Sequence, residues 1–347
     1  MKKTLVALSV LAAAANVNAA EIYGSDTSSV SLKGEIDIYL TESEKDTSAT
    51  ATEKKEADIS TWAKIQVDAE HKVNDKYTVF GSFEVETKNT TGVDNNAVFD
   101  DVLAGFKTDT WGMAFGEVGD LADSMDAIQK DDITNEGNYM GSTGGHHKES
   151  SGHGAVFKGQ FVEGLTLVAD VMTDSTENVD NTYGVSLDYS IDNFTVGASL
   201  VTGDAALDVD YRVAGISASA EFGGLFLAAT YAKYEGNQGY GYWDLKDLSQ
   251  TASTYANGDT IGVAAAYTID KVRLYTTYAT YTTDELQTAN TVTSIADLDG
   301  NNLVLGVDYA FMENVLLFAE YQTAEQDVTT ASKYEADGVT AGVYYTF

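Results

Sequence analysis

The stretch Val339-Thr340-Ala341-Gly342-Val343-Tyr344-Tyr345-Thr346-Phe347 decides the fold class. Val339, Ala341, Val343, Tyr345 and Phe347 share one parity, and side chains of an extended strand alternate between its two faces. One face is therefore apolar and aromatic. A strand ending this way suits a closed membrane barrel, whose rings form a girdle at the lipid interface.

The same alternation recurs upstream. Val30, Leu32, Gly34, Ile36, Ile38 and Leu40 alternate with Ser31, Lys33, Glu35, Asp37 and Tyr39. Ile65, Val67 and Ala69 alternate with Lys64, Gln66, Asp68 and Glu70. Comparable runs cover 77–86, 98–107, 111–117, 152–160, 164–173, 181–191, 193–202, 209–222, 225–234, 259–270, 271–282, 302–311, 314–323 and 337–347, giving sixteen expected strands. Most have about the 9–11 residues that cross a bilayer when tilted, and no later run reaches the roughly 18 apolar residues of a helical span.

The connections fall into two classes. Seven are tight: 73–76, 108–110, 161–164, 192–193, 223–224, 270–271 and 312–314, rich in the Asn, Asp and Gly that hairpin turns favour. Those between them are long and polar, at 41–58, 87–97, 118–150, 174–181, 203–208, 235–258, 283–301 and 324–336. Short turns at one end and long loops at the other predict an all-β, 16-stranded antiparallel transmembrane β-barrel. Tyr39, Tyr77, Phe80, Tyr189, Phe194, Tyr267, Tyr275, Tyr309, Phe318 and Tyr344 lie near strand ends, where amphipathic rings meet headgroups.

Composition narrows the class further. Lys2 and Lys3, the apolar run Leu5 to Ala15 and the small residues Val17-Asn18-Ala19 read as a secretory signal over 1–19, with the barrel occupying 20–347. The 347 residues carry 54 Asp and Glu against 20 Lys and Arg, a net charge of −34, which argues against nucleic acid as a partner. Cysteine is absent, excluding a disulfide framework, and so is proline, which suits uninterrupted ladders in a closed sheet.

Ala20-Glu21-Ile22-Tyr23, Val30-x-Leu32-x-Gly34, Phe80-Gly81-Ser82-Phe83-Glu84, Ala104-Gly105-Phe106-Lys107, Phe115-Gly116 and the ending at Phe347 together resemble the general diffusion porins of the Gram-negative outer membrane. The resemblance spans nearly the whole mature chain, weakly in the loops. It implies a homotrimer joined through the first strands and seated in outer-membrane lipid and lipopolysaccharide. It also implies a third external loop, here 118–150, folded into the lumen, whose acids face a basic wall. Asp126-Ala127-Ile128 is similar to that loop's opening motif, which assigns Asp132 and Glu136 to its constriction acids. The family's Pro-Glu-Phe-Gly-Gly turn is reduced to Asn135-Glu136-Gly137-Asn138.

The wall departs from the family. Lys64 keeps a basic position, while Glu35, Asp100 (or Asp101) and Glu117 stand where relatives carry lysine or arginine; Glu84 matches an acidic lumen position. Six acids, Glu35, Glu84, Asp100, Glu117, Asp132 and Glu136, thus oppose one base, Lys64. Such a ring attracts cations and repels anions. The expectation is a passive, cation-preferring pore for small hydrophilic solutes, with no enzyme activity and no cofactor. The alternatives are an oligosaccharide-selective channel lined by aromatics such as Trp62 or Tyr39, or a surface protein whose loops bind host tissue or phage.

Other motifs carry less. His146, His147 and His153 with Glu149 lack the paired spacing of a metal site. Ser150 or Ser151 near His153 lacks an orienting third group. Asp297-Leu298-Asp299-Gly300-Asn301 lacks the closing Glu of a calcium loop. Gly236-Asn237-Gln238-Gly239-Tyr240-Gly241-Tyr242-Trp243 reads as an external loop of adaptable residues.

Overall fold

The structure is a computed structural model, described over residues 20–87, 96–118, 124–137, 153–239, 242–243, 245, 248, 253–294, 298–329 and 332–347. The secretory signal, His146, His147, Lys148, Glu149, Ser150, Ser151, Asp120, Asp123 and Asp297 lie outside the described residues.

The strands are β1 (Ala20–Gly24), β2 (Ser28–Ser48), β3 (Ala51–Lys72), β4 (Thr78–Thr87), β5 (Ala97–Lys107), β6 (Trp111–Glu117), β7 (His153–Val162), β8 (Leu165–Met172) and β9 (Thr182–Ile191). They continue as β10 (Phe194–Ala206), β11 (Val209–Phe222), β12 (Leu225–Asn237), β13 (Tyr255–Ile269), β14 (Val272–Thr288), β15 (Thr291–Ser294), β16 (Gly300–Met312), β17 (Val315–Thr329) and β18 (Ser332–Thr346). Every neighbouring pair is antiparallel, and β18 returns to β2, so sixteen staves close on themselves. Closure leaves no ladder edge, as a bilayer requires, because hydrocarbon cannot hydrogen-bond an open backbone.

The two short strands add to this ring without being staves of it. β1 pairs with the edge of β2 that β18 leaves free: Ala20 faces Leu32, Thr346 faces Glu35, and Phe347 exchanges both backbone hydrogen bonds with Gly34 at 2.8 and 2.9 Å. β15 only folds back on the outer end of β14.

Alternation sorts each stave into two faces. Ile36, Ile38 and Leu40 on β2, Val185, Leu187 and Tyr189 on β9, and Val339 and Tyr345 on β18 are exposed on the outside. Between them Asp37, Ser186 and Thr340 are buried on the inside. Each outward Leu, Ile or Phe gains roughly 1.5–3 kcal/mol in leaving water for lipid, so register is strongly specified. The tight turns fall where expected, with positive φ at Gly164 (75°), Asp192 (51°), Gly223 (61°) and Asp270 (57°). Those are the residue types that tolerate it.

The external ends differ from expectation. Segments 41–58, 203–208 and 324–336 are largely strand: β2 and β3 run to Ser48 and from Ala51, β10 to Ala206, and β17 and β18 to Thr329 and from Ser332. Beyond the bilayer both faces of a hairpin meet water. The apolar half of the alternation disappears there, although the ladder continues.

Candidate functional site

The described part of the connection after β6 packs against the barrel strands. It opens with a short 3-10 helix, Ser124–Ile128, buried at Ser124, Met125, Ala127 and Ile128. The helix lies on the inner face of β8 to β11. Glycines make the room: a Cβ at Gly184 would stand 2.0 Å from Ser124 Oγ, and one at Gly197 1.9 Å from the Ala127 carbonyl. Ser124 N–H donates to Asp170 Oδ2 at 2.8 Å, Lys130 pairs with Asp188, and Thr230 donates to Asp131.

The segment then crosses to the opposite wall. Asn135 and Glu136 donate their backbone N–H groups to the two oxygens of Glu320 at 2.7 and 2.8 Å. The Asn135 amide donates to Tyr275 Oη at 2.7 Å, and Tyr344 donates its hydroxyl to Glu136 Oε1 at 2.6 Å. These anchors belong to β17, β14 and β18, so a carboxylate pair of backbone bonds holds the tip without the family's proline.

Five of the seven residues singled out from sequence meet here. Glu35 faces Lys64 across the β2–β3 ladder, and Lys64 Nζ lies 2.9 Å from Glu84 Oε2. Glu84 sits opposite Asp100 on β5. Glu136 lies within electrostatic reach of Glu35. The choice between Asp100 and Asp101 dissolves: the ladder slips between Ser82 and Glu84, Asp101 takes a positive φ of 50°, and Asp101 is buried within reach of Lys64 beside the inward Asp100. A bulge turns consecutive residues to one side and breaks strict alternation.

Two residues fall elsewhere. Asp132 is bonded within the loop, accepting from the Thr134 hydroxyl at 3.2 Å. Glu117 shares the outward parity of exposed Phe115, accepts the Val102 N–H at 2.8 Å and lies 3.2 Å from His153 Nε2. It closes the backbone donor that the β5 bulge sets free, away from the Lys64 cluster. The six-to-one count therefore changes membership.

Sequence reading also passed over residues of the same inner faces. Asp37, two positions from Glu35, is buried and accepts the Tyr39 hydroxyl at 2.8 Å. Glu86, two from Glu84, accepts from Trp62 Nε1 at 3.0 Å and neighbours Asp100. Both were legible from parity. The single-base count was too low as well, since Lys158 on β7 is buried inside, near Asp126 and Asp188, and Lys130 pairs with Asp188. Those bases already face their own acids. The Lys64 side keeps the excess of carboxylates: Glu35, Asp37, Glu84, Glu86, Asp100, Asp101 and Glu136.

The family model of the Gram-negative porin matches residues 7–330. The outer membrane porin protein OmpD of Salmonella typhimurium is 26% identical over 386 residues, covering 100% of both chains. Among solved structures, Salmonella typhi OmpF superposes with a TM-score of 0.71 at 18% identity, over 94% of this chain and 100% of that one. The trimer form of OmpT from Vibrio cholerae gives 0.68 at 17%, over 93% and 100%. With a closed barrel of sixteen staves and a match along most of its length, the chain belongs to the Gram-negative porin family, a passive channel of the outer membrane and not an enzyme.

Proposed function

We propose that this porin is a general diffusion pore for small hydrophilic solutes that prefers cations, and that it works as a homotrimer. One observation carries the preference: six carboxylates gather around Lys64 on the β2–β5 wall, and the loop tip adds Glu136 to the same side as a seventh. In a lumen walled by low-dielectric protein, that field raises the local cation concentration and repels anions. The Lys130 and Lys158 ammonium groups offset little of it, because Asp188 and Asp126 stand beside them.

The trimer reading rests on the fold shared with OmpT, described in a trimer form. Ile36, Ile38, Ile59, Ile65 and Phe99 give β2 to β5 an apolar outer surface for neighbour or lipid. The remaining outward belt meets lipid and lipopolysaccharide. A zero-current potential in a KCl gradient across a planar bilayer tests the selectivity, and a value on the chloride side overturns it. Conductance rising and closing in groups of three equal steps supports the trimer; solitary steps refute it.

A further inference from the structure

We propose that Trp243 sets the outer size limit of the pore, by seating, together with Leu245 and Leu248, the described part of the β12–β13 connection as a strap inside the external mouth. The inference rests on the pore reading above and adds a second narrowing outside the acid cluster. Trp243, Leu245 and Leu248 belong to a connection between strand ends, yet each is only 1% exposed. A loop lying open to solvent would leave these side chains wet.

The wall beneath explains where they go. Val213, Ala232, Tyr234, Ala279, Tyr281 and Ala336 project inward and are buried in one cluster with the three loop residues. A water-filled barrel carries polar residues on its inner face. An apolar inner wall is stable only when another apolar surface covers it. The loop supplies that surface, and Met125 and Ile128 of the inward-crossing segment join the same cluster. The two loops thus share one core.

The strap also reaches well round the ring. Trp243 donates its indole N–H to the Asp46 carbonyl at 2.8 Å, and Lys45 Nζ donates to the Tyr242 carbonyl at 2.7 Å. Asp46 and Lys45 lie on the outer end of β2, the stave that also bears Glu35 and Asp37. The Trp243 ring stands 6.3 Å from that of Tyr334 on β18. Traffic toward the carboxylates must therefore pass side chains held to β2 and β18 at Tyr242 and Trp243. The strap contributes bulk and no charge of its own at Trp243, so it filters by size and leaves ion preference to the wall below.

That division gives the test. Single-channel conductance, zero-current potential and liposome swelling with sugars of increasing size are measured for wild type, Trp243→Ala and Trp243→Phe. The expected result for Trp243→Ala is about a twofold rise in conductance and entry of larger sugars at an unchanged zero-current potential, because only the narrowing is relieved. Trp243→Phe keeps the apolar seat and stays near wild type. Heat-modifiable electrophoretic mobility shows which variants fold. Should Trp243→Ala fail to fold, the Leu245→Ala/Leu248→Ala pair loosens the same seat and is read the same way. A folded variant with wild-type conductance and wild-type sugar cut-off overturns the strap. A silent wild type alongside a conducting Trp243→Ala supports it, and silence in every form removes the pore reading and the strap with it.

Discussion

The two sides of the barrel interior are built from opposite materials. Along β2 to β5, carboxylates crowd around Lys64, with Glu84 bonded to Lys64 and Glu86 to Trp62, while Lys33 and Lys107 are taken up by Asp68 and Glu70. Along β10 to β14 the inner face carries the apolar cluster Val201, Tyr211, Val213, Ala232, Tyr234 and Ala279, dry beneath two loops, with buried hydroxyls such as Ser217, Thr230 and Thr260 between them. Exchanging these compositions would cost heavily on both sides. Carboxylates under the loops would be stripped of water with few partners, and apolar residues along the open path would stay wet. The contrast separates support from selection: the dry side holds the loops in place, and the wet side carries the field that solutes meet.

The largest expected effect inverts the field. Glu35→Lys combined with Glu136→Lys places two positive charges where two negative ones stood, on both lips of the passage. The zero-current potential in a KCl gradient should cross from the cation side to the anion side. Retained cation preference would mean that the selecting charges lie elsewhere, and the wet-side assignment would fall.

Next in size is a disturbance of the dry side. Gly197→Ala drives a methyl group to 1.9 Å from the Ala127 carbonyl, so the crossing loop must move. Gly81→Ala on β4 meets its nearest neighbour at an ordinary 3.6 Å and serves as the matched control. Overpacking of this kind costs typically about 1–3 kcal/mol. The Gly197 variant should unfold at lower urea and conduct with altered amplitude, while the Gly81 variant matches wild type in both.

The two halves were unequally readable from sequence. The staves and the seven tight turns were visible because lipid on one side and water on the other impose a strict period of two, and turns demand Asn, Asp or Gly. Glu35 and Glu84 were reached through the family resemblance, while parity, which places Asp37 beside the first and Glu86 beside the second, would have added two residues that were passed over. Asp100 and Asp101 could not be told apart because a bulge breaks the period where it matters. The dry half stayed hidden. Trp243, Leu245 and Leu248 follow a glycine- and tyrosine-rich run with no period, and such a run reads as an adaptable external loop. Only the inward apolar residues facing it, scattered over several strands, disclose that it is buried. Lys130 and Lys158 were missed for a related reason, since their partners Asp188 and Asp126 are joined to them only by the folded loop.

Salt sharpens the comparison at a smaller scale. Screening length falls from about 10 Å at 0.1 M to about 3 Å at 1 M. The potassium-to-chloride permeability ratio should therefore decline toward one as both chambers are made more concentrated at a fixed gradient. Sugar entry, governed by bulk at the loops, should not change. A ratio indifferent to salt would point to selection by direct coordination and not by field.

The smallest expected effect concerns Glu117, an acid that sequence reading placed in the ring and the fold places on the outward parity. Its carboxylate accepts the Val102 N–H at 2.8 Å, and Glu117→Gln keeps a carbonyl oxygen for that bond while removing the charge. His153, 3.2 Å away, loses a partner, but it is exposed and water replaces the contact at little cost. The zero-current potential should stay at the wild-type value. Glu84→Gln removes the same unit of charge from the inner face and should shift it measurably toward chloride. Equal shifts from the two variants would show that the field counts total charge and ignores which face bears it. In that case the division between a selecting wall and a supporting wall would lose its basis. Unequal shifts would tie ion preference to the parity of single residues, the level at which alternation along each stave sorts carboxylates from lipid-facing side chains.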